Sequence, residues 1–248
     1  MITIKSELEI VKMREAGRIV AEVHQLMREM IKPGITTAEL DQAAAKHIAS
    51  RNAQPSFLGY HGFPATICAS LNEEVVHGFP SERQLQVGDI LSVDVGAIYQ
   101  GFHGDGAITV AVGEIEPETQ RLLDVTEEAL RLGIAAALSG NRVRDISQAV
   151  QEYVEAAGFS VVRTLTGHGI GTEMHEDPEV PNFVSSFRGA KLVPGMVIAI
   201  EPMVNRGTFQ VKTLADGWTI VTTDGMPSAH FEHTVAITED GPVILTTI

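Results

Sequence analysis

Leu85-Gln86-Val87-Gly88-Asp89-Ile90-Leu91-Ser92-Val93-Asp94 is echoed later in the chain by Leu192-Val193-Pro194-Gly195-Met196-Val197-Ile198-Ala199-Ile200-Glu201. In both stretches a glycine stands six residues before a carboxylate, with an apolar strand between. A glycine turn followed by an apolar strand is common, so coincidence stays open on the pattern alone. The acid at the end of each otherwise buried strand favours a repeat. Two long helical segments precede the first copy and two precede the second. A duplicated α/β unit with a pseudo-twofold axis would bring Asp94 and Glu201 together at the centre.

The helices are read outward from these strands. Leu8, Val11, Ile19, Val23, Leu26, Met27 and Met30 recur mostly at spacings of three and four, which predicts an amphipathic helix from about Glu7 to Met30. Pro33-Gly34 stops it. Thr36 and Glu39 form a capping box for a second helix to about Ser50. The segment Pro55–Pro80, rich in glycine, proline and aromatics, reads as loops and short strands over a site. Ile90–Val95 reads as a strand and another begins near Ala107. A third helix starts at Pro117 and runs to about Leu138. Asp145 and Gln148 cap a fourth, which ends before Gly158. From Ser160 onward strands and turns dominate, with Asp240-Gly241 turning between Thr234–Thr238 and Val243–Thr246. No linker or low-complexity tract appears, so residues 1–248 are expected to form one catalytic domain.

Composition narrows the function classes. The formal net charge of −14 opposes binding to DNA. Cys68 is the one cysteine, which excludes an intrachain disulfide and thiolate-rich zinc sites. Residues 1–15 are too charged for a signal peptide, and no apolar run approaches the roughly 20 residues needed to span a bilayer. A cytoplasmic protein without membrane partners is the expectation, with a monomer as the default.

Acids inside apolar strands require an account, because a buried ionised carboxylate is costly unless paired or metal-bound. Asp94 follows Ile90–Val93, and Glu201 follows Val197–Ile200. Glu232 lies within Phe231–Val235, and Asp105 lies between Gly104 and Gly106. One such acid is usually a surface residue or a salt-bridge partner. Four of them, with few Lys or Arg nearby in sequence, favour a divalent-metal site. His168, between Gly167 and Gly169, would be a satisfied turn histidine if alone; beside four acids it reads as a ligand. His175 is a second candidate on the same glycine-rich loop, and His77 is undecided on sequence. Four carboxylates and one imidazole suit a pair of divalent ions, with zinc, manganese, iron(II) and cobalt(II) all acceptable, and amide hydrolysis is a natural use.

Several motifs together extend this reading. They are Leu58–Pro64 (LGYHGFP), Asn72–Gly78 (NEEVVHG), Val93-Asp94-Val95, Gly101–Asp105, Gly167–Gly171 with His175-Glu176, Ile200–Met203, Asp216–Thr219 and Phe231–Thr234. Taken as a set, they make the chain resemble the type I methionine aminopeptidases of the short bacterial form, over essentially its whole length. The resemblance implies the pseudo-twofold "pita-bread" α/β fold, with a curved antiparallel central sheet and helices on its outer face. It implies that two metal ions are held by Asp94, Asp105, His168, Glu201 and Glu232, with Asp105 and Glu232 bridging. Glu201 would also take and pass on the proton of the attacking water. His175 would stabilise the oxyanion, and His77 would contact the leaving amide nitrogen. Thr234 is expected to help position the metals or their water. Tyr60, Phe63 and Trp218 match the family's methionine pocket, and Cys68 is placed with them. Two positions depart: Phe57 stands where cysteine is frequent, and Met174 where phenylalanine is usual. Both put the pocket's shape in question rather than its metal chemistry.

The implied partners are nascent polypeptide N-termini. The ribosome is a further candidate partner, with Arg142 and Arg144 the basic residues at hand, although a solvated turn is the better account of them. No Cys-rich extension of the zinc-finger kind is visible. Two rivals remain open: an Xaa-Pro aminopeptidase or prolidase of the same fold, and a metal-free peptide-binding module.

Overall fold

The computed structural model describes every residue from Met1 to Ile248. Helix α1 spans Glu7–Met30 and α2 spans Thr37–Ser50. A capping box opens each. The Glu9 carboxylate accepts the Ser6 amide at 2.7 Å and the Ser6 hydroxyl accepts the Glu9 amide; Thr36 and Glu39 repeat the exchange. α1 buries Met13, Ala16, Val20, Val23 and Met27. Leu8 and Val11 were expected on that stripe but are exposed, because the stripe set by Met13 and Ala16 winds past them. Helices α3 (Pro117–Ala136) and α4 (Val143–Ala156) form the second pair. α4 begins earlier than the sequence suggested. Arg142 occupies the cap position, and Asp145 reaches back from the first turn to accept the Arg142 amide at 2.7 Å.

The first half carries strands β1 (Gln54–Pro55), β2 (Ile67–Leu71), β3 (Glu74–Val76), β4 (Ile90–Tyr99) and β5 (Phe102–Ala111). The second half carries β6 (Ser160–Val161), β7 (Thr166–Gly169), β8 (Glu176–Pro181), β9 (Val197–Ile200) and β10 (Met203–Asn205). It continues with β11 (Val211–Thr213), β12 (Ile220–Thr222), β13 (Ser228–His230), β14 (His233–Thr238) and β15 (Gly241–Ile244). All ladders are antiparallel. β4 pairs with β5 on one side and with β1 and β2 on the other, while the order β15-β14-β9-β7-β8 builds the second large sheet. Gly241 opens β15, so Glu239-Asp240 rather than Asp240-Gly241 makes the final turn.

The β4–β5 hairpin is longer than the sequence suggested. Gln100 and Gly101, at φ 48° and 81°, make the tight two-residue turn that matches strand twist. Asp94 and Asp105 therefore lie inside strands, not at a strand end and in a loop.

The repeat is borne out by matched hydrogen bonds. Gly34 donates to Leu85 O and Gly140 to Leu192 O; Leu85 donates to Ile35 O and Leu192 to Asn141 O. Gly88, at φ 98°, donates to Val112 O, and Gly195, at φ 89°, donates to Ile237 O. Val112 and Ile237 return bonds to Asp89 and Met196. Five residues before Val112 and Ile237, Ala107 and Glu232 exchange both of their backbone bonds, which stitches the two sheets together at the pseudo-axis. Each helix pair covers its own apolar core. One holds Val20, Leu40, Leu91 and Val93; the other holds Leu122, Ile146, Ile198 and Val235.

Candidate metal centre

The pseudo-axis decides where the acids meet. On β4, positions 94 and 96 face the same side. Asp105 pairs in register with Gly96, so its side chain shares the face of Asp94. Glu201 follows the last residue of β9, and Glu232 stands between β13 and β14 at the seam. His168 comes from β7. All five line one cavity of about 430 Å³, together with Phe57, Tyr60, Phe63, Cys68, His77, Met174, His175 and Trp218. The structure thus brings the five candidate ligands, His77, His175 and the candidate pocket residues into one cavity, whereas Thr234, Arg142 and Arg144 do not line it.

Ligand atoms of Asp105, His168 and Glu232 lie within 4.8 Å of one another. His168 Nε2 is 3.7 Å from both Asp105 Oδ2 and Glu201 Oε1. Its Nδ1 lies 2.9 Å from the Gly169 carbonyl and donates to it, which leaves the Nε2 lone pair facing the acids. Burial lowers the His168 pKa to about 4, so the ring is neutral and able to ligate at pH 7.

No lysine or arginine pairs with any of the four acids. Burial raises Asp94 to about 7 and Glu201 to about 8. Asp105 and Glu232 are pushed well above the usual carboxylate range by burial and then by their acidic neighbours. Asp94 Oδ1 and Glu232 Oε1 have no hydrogen-bond partner. Buried acids that repel one another, two of them with orphaned oxygens, and an imidazole lone pair aimed among them make a donor set that fits divalent cations.

The ligand strands are held by the fold rather than by the acids. Asp105 N donates to Thr234 Oγ1 at 3.0 Å, and that hydroxyl donates to the Asp105 carbonyl at 2.8 Å. Thr234, expected to help position the metals or their water, thus has its hydroxyl engaged by the main chain of Asp105, a candidate ligand. Asn182 donates to the Glu201 carbonyl at 2.9 Å.

Beside the acids lies an apolar wall of Phe57, Phe63, Ala65, Cys68 and Met174, with Tyr60, Phe79 and Trp218 packed on it. Phe63 stacks edge-on against Trp218 at 5.2 Å and against Phe57 at 6.4 Å. Gly96 makes room for Phe57, since a Cβ there would come within 2.8 Å of its ring. Asp216 fixes Trp218 by accepting the Trp218 and Thr219 amides at 2.8 and 2.9 Å. His77 has left-handed backbone at φ 61° and packs edge-on against Trp218 at 6.3 Å; burial lowers its pKa to about 4. The Tyr60 hydroxyl lies 2.7 Å from His175 Nδ1, and with the phenol as donor the ring carries its proton on Nε2. Burial also lowers the His175 pKa, which keeps that ring neutral.

Two participants were not evident in the sequence. His230 is buried, and its unpartnered Nε2 lies 3.6 Å from Glu201 Oε2. Its place two residues before Glu232 was the available signal. Lys5, one of the charges in residues 1–15, is buried against Glu176, the residue after His175.

The model of metallopeptidase family M24 matches residues 11–239. A methionine aminopeptidase of Clostridium perfringens is 55% identical over 248 residues, covering all of both chains. The crystal structure of a methionine aminopeptidase from Thermotoga maritima superposes with a TM-score of 0.98 at 46% identity, again over the full length of both. A prolidase from Pyrococcus furiosus shares the fold at TM-score 0.81 and 23% identity, but this chain covers 65% of it. By its sequence from end to end and by its fold, the chain belongs to metallopeptidase family M24.

Proposed function

We infer that this chain is a methionine aminopeptidase that hydrolyses the first peptide bond of polypeptides beginning with methionine. The observation that carries the reading is the junction, in one cavity, of an uncompensated acid cluster with an apolar wall. The wall suits a thioether side chain. The full-length likeness to methionine aminopeptidases, against the partial overlap with a prolidase, favours methionine over Xaa-Pro substrates.

Asp94, Asp105, His168, Glu201 and Glu232 would hold two divalent ions. Such ions supply a nucleophile at neutral pH and polarise the scissile carbonyl. The chain's own groups do the rest. Glu201, a carboxylate with no lysine or arginine partner beside the cluster, is placed to accept a proton and return it to the departing amine. His175, protonated on Nε2, donates to the oxyanion. His77, neutral and wedged against Trp218, meets the leaving amide. Phe57, Phe63, Cys68, Met174, Tyr60 and Trp218 enclose the methionine side chain.

Competitive hydrolysis of Met-Gly-Met and of an Xaa-Pro peptide tests the assignment. The methionine bond is expected to be cleaved far faster. Faster release of the Xaa-Pro product rejects the reading. Anomalous scattering from crystals soaked with manganese should show two ions; a single ion rejects the paired centre.

A further inference from the structure

Lys5 and Glu176 form a buried ion pair outside the metal cluster. Lys5 Nζ lies 2.7 Å from Glu176 Oε2, and the two side chains are 5% and 9% exposed. Lys5 also donates to Thr3 Oγ1 at 2.7 Å, and Thr3 in turn donates to Glu176. The Lys5 amide is fixed on Gly195 O at 2.8 Å. Gly195 is the turn glycine of the second repeat, and a Cβ there would strike Ile4 at 2.6 Å; its counterpart Gly88 faces open space. The arm therefore marks a break in the pseudo-symmetry. Gly171 completes the nest, since a Cβ there would lie 2.7 Å from Lys5 Cε and 3.0 Å from Glu176 Cδ. The other Glu176 oxygen accepts the Glu173 amide at 3.3 Å, and the Gly171 carbonyl accepts the His103 amide at 2.8 Å. The bonds from Lys5, Thr3, Glu173 and His103 to Glu176 and Gly171 hold the segment 171–176, whose one side chain aimed at both Tyr60 and His168 is His175.

A buried ion pair adds little stability over well-packed apolar residues, so stability alone does not account for this one. We infer that Lys5 is a positioning residue: through Glu176 its ammonium holds the 171–176 loop and so sets the angle of the His175 imidazole to the cavity. The inference rests on the reading of His175 as the oxyanion donor. A displacement of about 1 Å at such a donor can cost on the order of a hundredfold in rate.

The test is a mutant cycle on the metal-loaded enzyme with a methionyl peptide, joined to metal titration by calorimetry. Lys5→Met is expected to lower kcat roughly 10- to 100-fold. KM and metal affinity should stay within about twofold, because the ligands themselves are not touched. In a His175→Ala background the same change should cost nothing further. Ethylammonium added to a Lys5→Ala enzyme should restore part of its kcat. Equal losses in both backgrounds, or full kcat in a folded Lys5→Met enzyme, would overturn the role of Lys5 alone. Full turnover by His175→Ala would overturn the reading of His175 and this inference with it. If Lys5→Met does not fold, K5M/E176Q, which buries no charge, carries the same comparison.

Discussion

The proposed chemistry of the site turns on one side chain, Glu201. Its carboxyl is buried, has only imidazoles within ion-pair range, and is held at about 8. Replacement by alanine should abolish turnover, a loss of about 10²- to 10⁴-fold or more, while circular dichroism stays unchanged. A variant with near-normal turnover would remove Glu201 from the mechanism. The same burial has a thermodynamic reflection. In metal-free protein Asp94 and Glu201 keep their protons to about 7 and about 8, whereas unperturbed groups release them near 3.8 and 4.5. Their contribution to folding stability is then fully present below about pH 4 and is lost as pH rises through 7 to 8. The Tm of the metal-free chain should fall between pH 5 and 8, and excess divalent cation should abolish that fall. A flat profile without metal would refute the ionisation argument. At this scale the acids were legible because charge inside apolar sequence is conspicuous. His230 and Lys5 were not, since a lone histidine and an N-terminal lysine look ordinary until the fold buries them.

Phe57 illustrates how one element makes space for another. It occupies the pocket because β4 carries Gly96 beneath its ring. Phe57→Ala should enlarge the cavity and raise KM for methionyl peptides more than it lowers kcat, since the lost contact is to the side chain and not to the reacting carbonyl. A kcat effect with unchanged KM would place Phe57 elsewhere in the cycle. A tighter constraint holds α1 to the hairpin. A Cβ at Gly104 would lie 2.6 Å from Gly17 N, and one at Gly17 would run into the Leu245 carbonyl. Gly104→Ala should therefore destabilise by about 1–3 kcal/mol or more, measured by urea denaturation. An unchanged midpoint would show that the helix can shift. Helix positions were readable from capping boxes and Pro117, whose signals are local. The lengths of β4 and β5 were not, because glycines around Asp105 suggest a loop until Gln100-Gly101 is recognised as the hairpin turn.

Over the whole molecule, both halves contribute to the centre: Asp94 and Asp105 come from the first, and His168, Glu201 and Glu232 from the second. Chelation should thus loosen the seam as well as stop the reaction. A metal present at a hundred times its Kd stabilises the chain by about 2.7 kcal/mol, so Tm should drop by several degrees on exhaustive dialysis against chelator. A Tm indifferent to chelation would mean that the acids fold without help. The repeat was visible in two ten-residue stretches, but the sequence could not say that Ala107 and Glu232 are the residues that meet across the axis. That reciprocal bond has an evolutionary corollary. Two separate copies of a half-length ancestor, docked face to face, would already bring a carboxylate from each partner to the shared boundary. Fusion into one gene would then have freed each copy to diverge, one acquiring the imidazole and the other the hairpin acid.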